Sequence, residues 1–239
     1  MKRFIEPFVG GGTVYLNVSA DEYILNDIDQ NVIDLHRFLC SYTGSENDFY
    51  KLIFSIIHKY QLSFSYQIDN ITSELKQKYK KTCFAHFNKE NFDPLKKHYN
   101  QAAKKNIAEL YVLLIYGFNR MLRFTQRGNF NIPVGNVDFN ANTYNALPAY
   151  FRLNAEKRTI WHNQDFREFI ATLDFREGDF VYLDPPYLIT FSEYNKLWNG
   201  QAEEDLLQVL DELNEMNVPF AVSNVTNYKI VPEKVFLLF

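Results

Sequence analysis

A carboxylate, two prolines and a phenol stand in a row at Asp184-Pro185-Pro186-Tyr187, directly behind the apolar run Asp179-Phe-Val-Tyr-Leu183. A strand followed by such a loop presents its side chains at the carboxyl edge of an open α/β sheet, where these sheets carry their chemistry. The residue types suit a planar ring bearing an exocyclic amine. Such a nitrogen is a poor nucleophile because its lone pair is drawn into the ring. Asp184 accepting one N–H, and a carbonyl of the Pro185-Pro186 segment accepting the other, pull it toward tetrahedral geometry and aim the lone pair at an electrophile. The prolines fix the backbone, and Tyr187 offers a ring face for stacking. The chemistry indicated is methylation of an amino group on a base. Taken alone, the tetrapeptide also reads as an ordinary strand-ending turn.

A second segment shifts that balance. Phe4-Ile-Glu6-Pro-Phe8-Val-Gly10-Gly11-Gly12-Thr13 is an apolar strand running into three glycines and a helix start. Glycine turns tightly and lets a ligand approach the backbone. The spacing is neither the Walker motif nor a full dinucleotide fingerprint, and no phosphate-gripping lysine follows, which favours a cofactor without a pyrophosphate. The next strand, Tyr23-Ile-Leu-Asn26-Asp27, ends in an acid placed to bind ribose hydroxyls. S-adenosyl-L-methionine meets these needs. Close helix–strand packing would also use Gly10 to Gly12, and Asp27 would also cap a helix beginning near Asn31.

These residues must be held by a recognisable set of elements. Strand, glycine turn, helix, strand and helix run to about Leu39, the first steps of a parallel α/β sheet. From about Ser45 to Leu114 apolar residues recur at three- and four-residue spacing, as in Leu52, Ile53, Ile56 and Ile57, and later Leu110, Leu113 and Leu114. This predicts a helical insertion. Gly117 to Asn145, rich in Gly, Asn and Pro, reads as a hairpin or long ordered loop, after which Thr159-Ile-Trp-His162 and Phe180-Val-Tyr-Leu183 resume the strands. Glu203 to Met216 reads as an amphipathic helix with Leu206, Leu207, Leu210 and Leu213 on one face, and Pro219 to Ser223 as the strand after it. The domain division expected is 1–44 with 146–239 as one domain and 45–145 as the insertion.

In chain order, Glu6-Pro-Phe-Val-Gly-Gly-Gly-Thr13, Asn26-Asp27-Ile28-Asp29, Gly128-Asn-Phe-Asn-Ile-Pro-Val-Gly135 and Asp184-Pro-Pro-Tyr187 resemble the Dam-type DNA adenine-N6 methyltransferases, the alpha or D12 class. The resemblance runs from Phe4 to about Asn224. It implies a Rossmann-like α/β methyltransferase sheet with a helical and hairpin target-recognition insertion. The implied activity is methyl transfer from S-adenosyl-L-methionine to adenine N6 in duplex DNA, at a GATC-like site. The implied cofactor residues are Glu6, Phe8, Gly10, Gly12, Asp27, Asp165, Phe166 and Asp184, and the implied catalytic set is Asp184, Pro185, Pro186 and Tyr187. Asn163-Gln-Asp165-Phe166 resembles the element whose acid reaches the adenine amino group of the cofactor; Asp165 also suits the N-cap of a helix from Arg167 to Leu173. Ser223-Asn224 matches the strand-end pair that follows Asp-Pro-Pro-Tyr in the family, and no catalytic task attaches to it.

Adenine inside a duplex must be swung out before it reacts, and loop side chains must manage the gap. From Ile115 to Val137 the chain carries Arg120, Arg123 and Arg127 and no acid. With the resemblance to the family's recognition hairpin, this marks Phe118, Asn119, Arg120, Arg123, Arg127, Asn131 and Pro133 as DNA-binding. Phe118 is the candidate wedge, and Arg123 the candidate bidentate donor to a guanine edge or a neutraliser of phosphates. The lysines of Lys76 to Lys81 and Lys96 to Lys105 read as solvated helix faces.

Composition agrees without leading there. The chain has 239 residues, 46% of them hydrophobic, with a net charge of -4. It can bury one substantial core and a smaller appended one, and any nucleic-acid surface must be a local basic patch. Cys40 and Cys83 stand far apart without His or Cys partners, so neither a metal site nor a disulfide framework is indicated, and a reducing cytoplasm is the natural setting. No apolar run is long enough for a membrane span or a signal peptide. The implied partners are double-stranded DNA and, for a modification enzyme, a cognate restriction endonuclease, with the protein itself a monomer.

Three departures from the family pattern stand out. Its usual lysine-containing segment ahead of the glycine motif has no counterpart before Met1-Lys2-Arg3. Thr125 stands where relatives often carry Asn in the hairpin. The apolar end Val235-Phe-Leu-Leu-Phe239 reads as an edge left open by absent closing strands, hence a chain shortened at both ends. An inactive remnant that binds DNA or cofactor, and a methyltransferase acting on RNA or on a glutamine amide, are the alternatives to an active DNA enzyme.

Overall fold

The structure, a computed structural model, describes residues 1–187 and 198–224 together with the backbone of 235–238. Among the described residues six strands, β1 (Arg3–Glu6), β2 (Glu22–Asn26), β3 (Thr159–His162), β4 (Asp179–Leu183), β5 (Phe220–Asn224) and β6 (Val235–Leu238), form one sheet in the order β3-β2-β1-β4-β5-β6. The first five are parallel, and β6 pairs antiparallel to β5. The expectation of an open edge after β5 is therefore corrected: Val235 to Leu238 lie opposite Asn224 to Ala221. A short β-branched and aromatic stretch fits a pleated ladder, and an antiparallel strand reaches it without a crossover helix.

Alternation along the strands explains the two-faced burial. Phe4, Tyr23, Leu25, Tyr182 and Ala221 pack on one face of the sheet with Tyr15 and Ile33. Ile5, Ile24, Val181, Leu183, Phe220 and Val222 pack on the other with Phe169, Leu206 and Leu213. Side chains of period two sort onto opposite faces, and a parallel sheet covered on both sides needs both sets apolar, which is why these strands read as continuous hydrophobic runs. At the amino end, Arg3 lies opposite Asp179 in the β1–β4 register and donates from Nε to its Oδ1 at 2.7 Å.

The helices are α1 (Thr13–Asn17), α2 (Gln30–Cys40), α3 (Glu46–Lys59), α4 (Ser73–Lys78), α5 (Cys83–Gln101), α6 (Ile107–Tyr116), α7 (Ala141–Glu156), α8 (Phe166–Ala171) and α9 (Gly200–Glu215). On α9 the buried positions are Leu206, Val209 and Leu213, while Leu207 is 56% exposed. The apolar face thus runs through Val209, one residue from Leu210, and Leu207 does not share it. No helix among the described residues is long and apolar enough to cross a membrane.

The chain divides into two compact units, Met1–Ile33 with Glu156–Phe239, and Asp34–Ala155. Residues 34–44 and 146–155, grouped with the sheet from sequence, fall in the second unit. That unit has its own core. The buried helix α6 contributes Leu110, Val112, Leu113 and Ile115, which pack with Phe49, Ile53, Ile56 and Ile57 of α3 and Phe92, Leu95 and Tyr99 of α5. Asn106 caps α6, its side chain accepting from the Ala108 amide at 2.9 Å. Helix α7 is a finding beyond the sequence reading, which ended the irregular region at Asn145 without a helix. Pro148 lies inside it, while Asn140 receives the Thr143 amide at 3.0 Å ahead of its first turn and Leu147 and Phe151 bury its inner face.

Between α6 and α7 the chain forms an irregular hairpin. Gly117 bridges Val134 and Phe124 bridges Phe130, and the turn closes with Gly128 N–H donating to the Thr125 carbonyl at 2.8 Å. Asn100 grips the returning arm through both the amide and the carbonyl of Phe130, at 2.8 and 3.0 Å. A Cβ at Gly135 would sit 2.7 Å from the Gly117 carbonyl oxygen, so the two arms approach only because that position is bare. Gly128 has open space around it and a φ of +73°. Gly135→Ala is expected to destabilise the protein by about 1–3 kcal/mol through backbone displacement, and Gly128→Ala by about 1 kcal/mol from the left-handed conformation alone. Denaturant unfolding of both variants ranks them, and equal losses would contradict the close-approach argument.

Candidate active site

The order of the sheet sets the site. From β1 the chain crosses to β2 and β3 on one side, then returns to β4 on the other side of β1. Loops following β1 and β4 therefore leave the sheet in different directions, and the crevice between them is where open α/β sheets take ligands. The β1 loop carries Glu6, Phe8 and the glycines; the β4 loop carries Asp184 to Tyr187.

Three acids meet at this carboxyl edge. Glu6 ends β1, Asp27 follows β2 and Asp184 follows β4. Glu6 is 2% exposed, and its Oε2 has no hydrogen-bond partner among the described residues. Burial pushes its carboxyl up to about 8, against a lowering hydrogen bond from the Tyr15 amide and with further raising from the charges of Asp184 and Asp27. Burial also raises Asp27, partly offset by amide donors. Its Oδ1 accepts from Asp29 N–H and its Oδ2 from Gly10 N–H, each at 2.9 Å. The N-cap foreseen for Asp27 belongs to Asp29, which accepts from the Asn31 amide at 2.9 Å.

The glycine loop is shaped for approach. Gly10 and Gly12 have φ of +47° and +76°, a region costly for residues with a Cβ. A Cβ at Gly10 or Gly11 would meet nothing within 4 Å, so these positions face open space. A buried carboxyl with one oxygen unpartnered among the described residues, a bare backbone ledge and two further acids meet here, and a cationic sulfonium cofactor with an ammonium group fits that set of acceptors.

Two asparagines tie the loops together. Asn26, fully buried, donates to the carbonyls of Pro7 and Gln164 at 3.0 Å and accepts from the Gln164 amide at 3.0 Å. Asn163 donates to the carbonyls of Asp27 and Ile28 at 2.8 and 3.0 Å. Asn26 thus bonds backbone in the loops after β1 and β3, and Asn163 backbone in the loop after β2. Both open motifs quoted from sequence, yet neither carries a role there, because an Asn in such a loop reads as a turn former until its long-range partners are seen.

In the β4 loop, Pro185 is buried and Pro186 half-buried. Tyr187 donates its hydroxyl to Asp184 Oδ1 at 2.6 Å, and the same hydroxyl lies 3.0 Å from Ser223 Oγ. Burial and the Asp184 hydrogen bond push the phenol up to about 12. Asp165 caps α8, accepting from the Arg167 amide at 3.0 Å, and its two oxygens receive the Arg167 guanidinium at 2.7 and 2.9 Å. That hydrogen bond leads the causes that hold its carboxyl below the usual range.

In the helical unit, Phe118, Asn119, Arg120, Arg127, Asn131 and Pro133 are all exposed, Phe118 by 51%. Asn119 and Arg120 both adopt left-handed φ, +54° and +51°, strain of the kind that clusters at ligand clamps. Arg120 donates to Thr143 Oγ1 at 3.1 Å, and Arg123 donates to the Asn131 carbonyl at 2.7 Å. The hairpin residues gathered from sequence therefore share one exposed loop, with Arg123 bracing its two arms.

Comparison with known proteins decides the family. The family described as D12 class N6 adenine-specific DNA methyltransferase matches residues 1–234. The chain belongs to this family. It is 30% identical over 238 residues to the modification methylase StsI of Streptococcus sanguinis, covering 96% of this chain and 32% of that protein. It is 28% identical over 243 residues to the type II methyltransferase M.FokI of Planomicrobium okeanokoites, covering 98% and 33%. It is 24% identical over 227 residues to the DNA adenine methylase of Escherichia coli strain K12, covering 92% and 70%. The chain spans about a third of the length of the first two relatives.

Within this D12-class chain, an aromatic group missed from sequence packs against Phe8 and Phe166. Trp198 packs edge-on to Phe8, centroids 5.7 Å apart, and tilted against Phe166 at 5.6 Å, while Phe8 and Phe166 lie 5.1 Å apart. Its indole N–H donates to Glu203 at 2.7 Å. A lone Trp ahead of a helix carries no sequence signal of its own.

Proposed function

We propose that this chain transfers a methyl group from S-adenosyl-L-methionine to N6 of adenine in duplex DNA. The observation that carries the reading is the placement of Asp184, Glu6 and Asp27 around one topological switch point beside a bare glycine loop. Glu6 receives the cationic end of the cofactor, Gly10 to Gly12 leave its path open, and Asp27 takes the ribose hydroxyls with lone pairs beyond those used by Gly10 and Asp29. Phe8 and Phe166 flank the adenine ring, whose amino group shares Asp165 with Arg167. The bound cofactor supplies an electrophilic methyl group on sulfur.

Asp184 and the Pro185 carbonyl each accept one N–H of the target amine, and the proline pair holds these acceptors rigid. No strongly basic group is required, because the step depends on alignment and on acceptors placed where positive charge develops. In the helical unit, Phe118 fills the gap left by the extruded base, and Arg120, Arg123, Arg127, Asn131 and Pro133 contact the duplex. Arg123→Ala is expected to relax discrimination at one guanine by about 1–3 kcal/mol; uniform weakening at every site would make it a phosphate contact. The target is GATC-like, and a restriction endonuclease is the partner, a role supported by similarity to a named modification methylase.

The deciding assay is tritiated methyl transfer to unmethylated duplex DNA, with GATC and scrambled duplexes in parallel and RNA and a glutamine peptide as controls. Label in adenine of duplex DNA alone supports the proposal. Label confined to RNA or peptide, or none with saturable cofactor binding, overturns it.

A further inference from the structure

We propose that Ser223 is a positioning residue that acts through the Tyr187 hydroxyl to hold one oxygen of Asp184 and leave the other for the substrate amine. This rests on the methyl-transfer reading above and assigns a task to a strand-end serine that the sequence pattern left without one.

The geometry is a directed chain of hydroxyls. An ionised carboxylate only accepts, so the 2.6 Å contact fixes the Tyr187 O–H as donor to Asp184 Oδ1. With its proton committed, the Tyr187 oxygen is the acceptor for Ser223, 3.0 Å away. Ser223 also contacts the Tyr182 hydroxyl. The Ser223 and Tyr187 hydroxyls then donate in the same sense, toward the carboxylate, an arrangement in which neighbouring bonds polarise and reinforce one another.

The mounting of this chain matters as much as its chemistry. Ser223 is 1% exposed and sits in β5, which pairs directly with β4 through Leu183 and Val222. Tyr182 is the penultimate residue of β4 and is buried. A buried side chain at the end of β5 therefore holds a hydroxyl that lies four residues beyond the end of β4. An Asp side chain free to rotate would present its amine acceptor only part of the time, whereas one oxygen held at 2.6 Å removes that freedom before substrate arrives. The Tyr187 ring keeps its face for the base, so clamp and stacking platform are separate properties of one residue.

That separation makes the proposal testable with Tyr187→Phe, which keeps the ring and deletes the hydroxyl. Expected is a fall in kcat of about ten- to a hundredfold, the worth of a hydrogen bond to a charged group, with the KM for DNA and the Kd for cofactor within about twofold. Ser223→Ala should lower kcat by about three- to tenfold, and the double variant should be no slower than Tyr187→Phe, because the serine acts only through that hydroxyl. Unchanged kcat in Tyr187→Phe, or losses that multiply in the double variant, overturns the inference. A second readout needs no turnover: in a crystal structure of Tyr187→Phe the Asp184 carboxylate should lose its fixed orientation, and an orientation unchanged from the parent chain overturns the clamp. A parent chain without transfer activity would sink the functional reading while the carboxylate orientation still judges the hydrogen bond.

Discussion

Asp184→Ala is expected to lower methyl transfer on the order of a thousandfold while saturable cofactor binding persists. The amine of adenine reacts only when both of its hydrogens are held, and the variant leaves one acceptor, the Pro185 carbonyl, with no partner to oppose it. Cofactor affinity moves little because two effects oppose each other. Removing the Asp184 charge takes one anion from the crevice, yet that same charge helps push Glu6 up, so its loss lets Glu6 ionise more readily. Single-turnover transfer with pre-bound cofactor, compared with a binding titration, separates the two. Retained turnover would remove Asp184 from the mechanism, and joint loss of turnover and cofactor binding would recast it as a cofactor residue.

The legible parts of this chain are those where local chemistry and fold coincide. Asp184-Pro-Pro-Tyr187 and the glycine run announce themselves because each follows an apolar strand, and a parallel sheet puts every such loop on the same edge. The order of the strands was not legible. The sequence offers β2 and β3 no mark saying that they lie on one side of β1 and β4 on the other, although that reversal makes the crevice. Helix α7 escaped because Pro148 and four asparagines from Asn140 to Asn154 look like loop punctuation. Its register is set by Leu147 and Phe151 packing into the helical core, a tertiary effect that outweighs propensity. Strand β6 escaped because four apolar residues after β5 predict an exposed edge as easily as a paired one.

Within the site, the residue types were readable and their couplings were not. Tyr187 was expected as a stacking face, and its hydroxyl is engaged as well. Asp165 was weighed as cap or cofactor acid; its cap is formed, and its pairing with Arg167 depends on a side chain two positions away that spacing alone does not orient. Asn26 and Asn163 bond to carbonyls more than a hundred residues away along the chain or across a loop. Such contacts exist only once the sheet has assembled, so the fold creates the site's rigidity rather than inheriting it from any motif.

Glu6 supplies the sharpest pH signature. In the free protein its carboxyl is held up to about 8, so at pH 7 about nine in ten molecules carry it protonated. A cationic cofactor binds the ionised form, so affinity should rise about tenfold per unit from pH 6 toward 8 and level off above it, with close to one proton released on binding at pH 7. Glu6→Gln should abolish both the slope and the proton release and bind on the order of a hundredfold more weakly at pH 9, as expected when one partner of a buried charge pair is removed. Stability runs the other way. A folded value above the ordinary 4.5 means that the native state holds the proton more tightly than the unfolded chain. The stabilisation is complete below about pH 4.5 and is lost as pH rises through about 8, by roughly 4 to 5 kcal/mol at most. Glu6→Gln, which mimics the protonated acid, should therefore match the parent chain at pH 4 and melt at a higher temperature at pH 9. Calorimetry in buffers of differing ionisation enthalpy, with melting curves at both pH values, tests the two halves together. Binding indifferent to pH between 6 and 9 would mean that Glu6 does not face the cofactor's charge. A variant less stable at pH 9 would mean that its second oxygen has a partner in the free protein after all.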